Sequence, residues 1–288
     1  MIRSMTAFAL REAPSPWGVL ACELRSVNHR YLELALRLPE EFRALEPKLR
    51  ELLASRVARG KVDANLRLRP AEGSAIELKL NRPLANELAR LANEIKAIAP
   101  DLAPGSRLEA LAWPGLILEP EADVAGQHAA ALALFDATID EFVATREREG
   151  ARLREVMLER LDAIEKILAE IRGWLPGIRQ ALRARLDAKL AELKLPLDPG
   201  RLEQELVLSL QKLDVDEELD RLASHIAEAR RILGRAEAAG RRLDFLLQEF
   251  NREANTLGSK SVDARTSNLA VELKVLIDQV REQVQNIE

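Results

Sequence analysis

Two hydrophobic periods divide the chain. Over the first 80 residues, apolar and polar positions alternate in short runs; beyond Ala125, Leu, Ile and Val recur every three or four positions. The alternating part predicts strands over residues 2–10, 17–25 and 31–38, separated by turn formers such as Pro14, Ser15, Pro16 and Asn28. Residues 40–57 carry Phe42, Leu45, Leu49, Leu52 and Leu53 at helical spacing, and Gly60 ends that helix. Residues 61–69 alternate strictly, with Val62, Ala64, Leu66 and Leu68 inward and Lys61, Asp63, Asn65, Arg67 and Arg69 outward. A short strand over 76–80 and a helix over 83–98 follow. Residues 103–120 read as a linker with a short helix inside, broken by Pro104, Gly105, Pro114, Gly115 and Pro120.

The rest reads as helix: residues 125–174 in one very long or once-broken stretch, then 201–236, 241–260 and 265–287. Breaks are expected near Pro176, Pro196, Pro199-Gly200 and Gly240. Fifty helical residues span roughly 75 Å, so the first of these helices must project from a compact body or fold back near Glu149-Gly150. The last carries Leu269, Leu273, Leu276, Val280 and Val284 as a heptad seam, which suits helix pairing within the chain or between subunits. The expected fold class is α+β. An N-terminal mixed α/β domain with an antiparallel-type sheet, residues 1–120, precedes an elongated all-helical C-terminal part, residues 121–288.

One helix stands out for its polar side. In residues 241–260, Leu243, Leu246, Leu247, Phe250, Ala254 and Leu257 share an apolar arc, while Asp244, Gln248, Asn251 and Asn255 line another stripe. Asp, Gln and Asn are mediocre helix formers, and their short forked groups suit phosphates, metal-bound water or base edges. The same residue types also serve interhelical hydrogen-bond networks. Arg242, Glu249 and Glu253 form a further stripe.

Asp214, Glu218, Arg221 and His225 share a face at spacings of four, three and four. Carboxylates with one imidazole suit Mg²⁺ or Mn²⁺, and equally a solvated ladder of ion pairs. Acidic candidates for a metal are Glu218, Asp220, Asp244 and Glu249; candidates for proton transfer are His225, Glu249 and Glu253. Arg221, Arg242 and Arg252 compete for the same carboxylates. A basic set, Arg25, Asn28, His29 and Arg30 with Arg59-Gly60-Lys61 and Arg67, suits a phosphate backbone.

Charge sharpens this picture. The whole chain carries −4, but residues 1–80 hold 14 Lys/Arg against 10 Asp/Glu. The remainder is acidic, so phosphate and metal binding are expected to divide between the two parts. Cys22 is the only cysteine, which excludes an intrachain disulfide and a thiolate zinc cluster. Aromatics make up 3%, which argues against a surface of base-stacking platforms. No apolar run approaches a membrane span and the N-terminal residues lack a signal-peptide core, so a soluble cytoplasmic protein is expected. With no GxGxxG, P-loop, GxSxG, HExxH or CxxC, nucleotide-cofactor chemistry has no support.

The motifs together carry a resemblance. Ser4-Met5-Thr6-Ala7-Phe8, the run from Arg25 to Glu33, Arg59-Gly60-Lys61-Val62 and Trp113-Pro114-Gly115 belong to it. So do Arg201-Leu202-Glu203-Gln204-Glu205, Glu217-Glu218-Leu219-Asp220-Arg221-Leu222, His225, Gly240-Arg241-Arg242-Leu243-Asp244-Phe245, Gln248-Glu249-Phe250-Asn251-Arg252-Glu253, Asn255-Thr256 and Ser259-Lys260. Over essentially its whole length the chain resembles the YicC-like family of bacterial proteins. The resemblance implies a divalent-metal-dependent endoribonuclease, assembled as a homohexamer, that acts on RNA including small regulatory RNAs. Where this chain has His29 the family also has glutamine, so His29 is not expected to be an essential base. RNA contacts are expected from Arg25, Asn28, Arg30, Arg59, Lys61 and Arg67, and from Arg241, Gln248, Arg252, Asn255 and Lys260. A non-catalytic RNA adaptor and a purely structural oligomer are the competing readings.

Overall fold

The computed structural model describes residues 2–69, 78–103, 105–118, 123–192, 214–235 and 239–288. Strands β1 (Ala7–Ser15), β2 (Gly18–Val27), β3 (Leu32–Arg37) and β4 (Gly60–Arg69) form one sheet in the order β1-β2-β4-β3. β1 pairs with β2 and β2 with β4 in antiparallel fashion, but β3 and β4 run parallel. The sheet is therefore mixed rather than uniformly antiparallel. The reason is the helical crossover between β3 and β4, which returns the chain to the end of the sheet where β3 began. That crossover is a 3₁₀ turn (Glu40–Leu45) followed by α1 (Glu46–Arg56), not the single helix expected. Pro47, in the first turn of α1, has no N–H to continue a helix from upstream.

A small module follows: β5 (Lys79–Leu80), α2 (Arg82–Ile98), α3 (Arg107–Leu111) and β6 (Ile117–Leu118), with β5 and β6 paired. Asn81 caps α2 through Leu84 N, and a Ser106–Glu109 capping box starts α3. The first residues of the strand expected over 76–80 lie outside the described residues, as do the breaks at Pro196 and Pro199-Gly200.

Helix α4 runs unbroken over Val124–Glu192, roughly 100 Å. The expected break at Pro176 does not occur, and the alternative of a fold-back near Glu149-Gly150 is not taken. Gly150 is there for close approach, since a Cβ would lie 2.2 Å from the Ile2 carbonyl oxygen. Pro176 gives up one backbone hydrogen bond yet stays inside the helix. Beyond it come α5 (Asp216–Leu233), α6 (Gly240–Lys260) and α7 (Ala264–Val284). α5 does not extend back through residue 214 as the periodicity suggests. Asp214 instead accepts a hydrogen bond from the Asp216 N–H and binds Arg179, which ends the upstream continuation.

Two cores share α4. Its first half puts Phe135, Ile139 and Phe142 against the inner sheet face of Leu20, Cys22, Leu24, Val62, Ala64 and Leu66, with Phe42, Leu49 and Leu53 completing that core. Its middle puts Met157, Leu161, Ile164 and Ile171 against Leu222 and Ile226 of α5, Leu247 and Phe250 of α6, and Leu273 and Ile277 of α7. The heptad seam of α7 is thus spent within the chain. The segment before β1 then ties the halves together. Ser4 bridges to Ile287, Met5 N donates to the Asn286 carbonyl at 2.8 Å, and Glu288 N donates to the Arg3 carbonyl at 2.8 Å. No described helix is long and apolar enough to cross a membrane.

Candidate nucleic-acid interface

That backbone zipper brings the turn after β2 next to the start of α6 and the end of α7. Between them lies a cleft of about 890 Å³. Asn28, His29, Arg30, Tyr31 and Arg59 line one wall; Gly240, Arg241, Asp244, Arg281, Val284 and Gln285 line the other. Arg59 is aimed by its Nε, which donates to the His29 carbonyl at 3.1 Å. The next residue, Gly60, has φ +114°, a left-handed value that L side chains rarely adopt, and its N–H donates to the Tyr31 carbonyl. Arg30 stacks over Tyr31 with its guanidinium carbon 5.2 Å from the ring centre. Opposite, Arg281 Nε sits 3.6 Å from Asp244 Oδ1. Four arginines face one carboxylate, so the cleft is strongly electropositive in a chain whose net charge is negative.

The expected residues scatter around this centre. Asn28, Arg30, Arg59, Arg241 and Asp244 meet in it. Gln248, Arg252 and Asn255 are exposed further along α6, and Gln248 and Asn255 have no side-chain hydrogen bond among the described residues. Among the described residues these two α6 amides therefore form no part of the register-setting network that their composition also suits. Lys61 pairs with Glu33 at 3.3 Å on the sheet's outer face, where Arg25 is also exposed; Arg67 lies farther along β4, opposite Ala21. Lys260 is an internal tether, donating to Glu218 at 2.8 Å and to the Asp214 carbonyl at 3.0 Å. Arg281 and Gln285 line the cleft without having been singled out in the sequence. Their only local signal is position at the C-terminal end of α7, Arg281 in its last turn and Gln285 at its C-cap.

The acidic faces of α5 and α6 do meet, but as ion pairs. Glu253, 4% exposed, takes a hydrogen bond from Arg221 at 3.2 Å, and Glu218 takes one from Lys260. Arg221 is held more firmly protonated than usual by Glu253 first and Glu217 second. Asp220 pairs with Arg172 at 2.6 Å, and Glu249 lies 3.6 Å from Arg252. His225 rests its ring against Phe250, centroids 5.6 Å apart. Among the described residues no three His, Cys, Asp or Glu side chains are grouped closely enough to hold a metal ion. The carboxylates Glu218, Asp220, Asp244 and Glu249 each lie beside a cationic side chain instead: Lys260, Arg172, Arg281 and Arg252.

Family models described as "Endoribonuclease YicC-like, N-terminal region" and "Endoribonuclease YicC-like, C-terminal" match residues 2–155 and 171–288. The chain belongs to the YicC-like family. A protein of Haemophilus influenzae named "Probable endoribonuclease YicC" is 44% identical over 288 residues, covering all of both chains. One of the same name from Clostridioides difficile is 31% identical over 296 residues, again covering both fully. The N-terminal YicC-like model extends to residue 155, past the part of α4 that completes the first core. The cleft is thus built from both YicC-like regions, and neither alone contains its two walls.

Proposed function

We propose that this protein is a cytoplasmic endoribonuclease that draws an RNA strand into the arginine-lined cleft and along the exposed amide face of α6. The observation that carries this is the meeting of Arg30 and Arg59 with Arg241 and Arg281 across 890 Å³ of open space. Cleaving a phosphodiester builds negative charge on the non-bridging oxygens, and fixed guanidinium groups stabilise that charge without reorganising. Asn28 and Gln285 add neutral donors and acceptors beside them. Small regulatory RNAs are included among the proposed substrates on the strength of the family alone.

Dependence on Mn²⁺ or Mg²⁺ stays in the proposal, although the expected carboxylates form no cage. Mg²⁺ commonly takes one or two carboxylates together with substrate phosphates. We further propose self-association, to a homohexamer. Its support is α2: Leu84, Leu88, Leu91, Ile95 and Ile98 repeat at spacings of four and three, yet no residue of that helix is buried. Exposure rises along the stripe from 40% at Leu91 to 54% at Ile95 and 84% at Ile98. Such a face calls for a partner.

The test is cleavage of an end-labelled RNA by purified protein, with Mn²⁺, with Mg²⁺ and with chelator. Arg30→Ala and Arg241→Ala should each slow cleavage by at least tenfold. Equal cleavage by both variants and the unmodified protein would point to a contaminating nuclease. Binding without cleavage in every arm would leave an RNA adaptor.

A further inference from the structure

A second cavity, of about 310 Å³, lies against α4 and shares no lining residue with the cleft. Glu147, Ala151 and Arg154 line it from one face of α4, at spacings of four and three. Gly150 lets Ile2 cross the helix beside them, and Ile2 lines the cavity too. The end of α5 supplies Leu233, Gly234 and Arg235. Glu147 is the only carboxylate among these lining residues, and Arg3 occupies it, with Nη2 at 2.7 Å and Nε at 3.1 Å from one oxygen. Arg154 donates from Nε to the Leu233 carbonyl at 2.9 Å. Its two Nη groups, and the whole guanidinium of Arg235, make no hydrogen bond or ion pair among the described residues. The charge of Arg235 reaches Glu228, but both oxygens of that carboxylate are taken by Arg231.

Two like charges thus share one cavity with no carboxylate left to offset them. Guanidinium groups match phosphate oxygens two at a time. The volume falls at the small end of sites for organic ligands, about 300–1,000 Å³, so there is room for more than a bare ion. Ile2, Ala151 and Leu233 offer the organic part an apolar surface. We infer that this cavity binds a phosphate monoester, with its phosphate on Arg154 and Arg235 and the attached group against Ile2 and Ala151. A monoester carries close to two negative charges at neutral pH, matching the two open guanidinium groups; a diester within a strand carries one. A free mononucleotide and the terminal phosphate of an RNA both present this chemistry.

The experiment treats the full chain with phenylglyoxal, which modifies accessible guanidinium groups, and reads each arginine by peptide mass spectrometry. UMP should protect Arg235 and Arg154; uridine, which lacks the phosphate, should not. Arg154→Ala should raise the UMP concentration that half-protects Arg235 by about 10- to 100-fold. Arg154→Gln keeps an amide donor for the Leu233 carbonyl and should show a loss of the same order, with circular dichroism checking that both variants are folded. A short 2′-O-methyl oligonucleotide, with and without a terminal phosphate, separates the two sources. Protection of Arg235 by the phosphorylated strand alone, at lower concentration than UMP, supports an RNA end; protection by UMP and by neither strand supports a free nucleotide. Equal protection by both strands, equal protection by uridine, or no protection of Arg235 by UMP overturns the inference. So does UMP protection that neither Arg154 variant weakens, or that falls only on the cleft residues Arg30 and Arg241. Protection is read without cleavage, so this outcome and that of the RNA reading are independent.

Discussion

Arg146 holds Glu288 across 142 residues: Nη2 donates to the Glu288 carboxylate at 2.5 Å while Nε donates to the Ser4 carbonyl at 2.6 Å. The Arg146 side chain is 1% exposed and that of Glu288 16%. One guanidinium therefore fastens the segment before β1 and the segment after α7 to the first half of α4, beside the zipper that sets the two cleft walls facing. Removing one partner of a buried pair strands the other, at about 3–5 kcal/mol. We expect Arg146→Met to destabilise the chain by that order, with Glu288→Gln clearly milder because an acceptor remains. Urea midpoints measure both; equal midpoints for Arg146→Met and the unmodified protein would refute the anchoring role.

The cleft arginines should also reveal themselves through salt. Each phosphate contact contributes about −0.7 to the log–log slope of single-strand affinity against salt concentration. Arg30→Ala, Arg241→Ala and Arg281→Ala should each flatten that slope by about this amount. Arg172→Ala, whose guanidinium is committed to Asp220, should not. Identical slopes in all four variants would place the phosphate path elsewhere.

Burial pushes the Cys22 thiol up to about 11 from its ordinary 9.0. The unfolded chain ionises first, so this contribution to stability is complete below about pH 9 and is lost as pH rises towards 11, about 2–3 kcal/mol at most. Cys22→Ala should flatten the alkaline fall in urea midpoint. A thiol reagent at pH 8 should leave the native protein unmodified and react fully in urea. Rapid native labelling would contradict the burial.

Asp263 caps α7, accepting the Arg265 N–H at 2.8 Å, and its carboxyl is held below the usual range first by the Arg265 side chain and then by that backbone bond. A lowered folded value means stability that is present above the unfolded carboxyl range, near 3.8, and lost as pH falls through the folded value. Asp263→Ala should lower the urea midpoint at pH 7, and the difference should shrink towards pH 2.

The α2 stripe gives a mass prediction. Leu91→Glu with Ile95→Glu puts charge on the exposed apolar face without touching either core. Light scattering should show the unmodified protein at a multiple of 32.2 kDa and the variant nearer one chain. A single-chain mass for the unmodified protein would remove the assembly.

The alternation and three-four spacing by themselves determined the element types, because each element's burial is one-sided and the period records which side. The motifs also offer Arg30, Arg59 and Arg241 as candidates for phosphate contact, and these three line one cleft. Tertiary structure decided everything that depends on which faces meet. Gly150 reads as a break until Ile2 is seen crossing it, and Pro176 reads as an end although one lost hydrogen bond does not stop a helix of 69 residues. Local spacing leaves open whether the acidic faces of α5 and α6 meet; across the helix seam Arg221 reaches Glu253 and Lys260 reaches Glu218. Arg281 shows no motif, because its place opposite Arg30 is made by the Ser4–Ile287 bridge, a contact between the two ends of the described chain that no local pattern encodes.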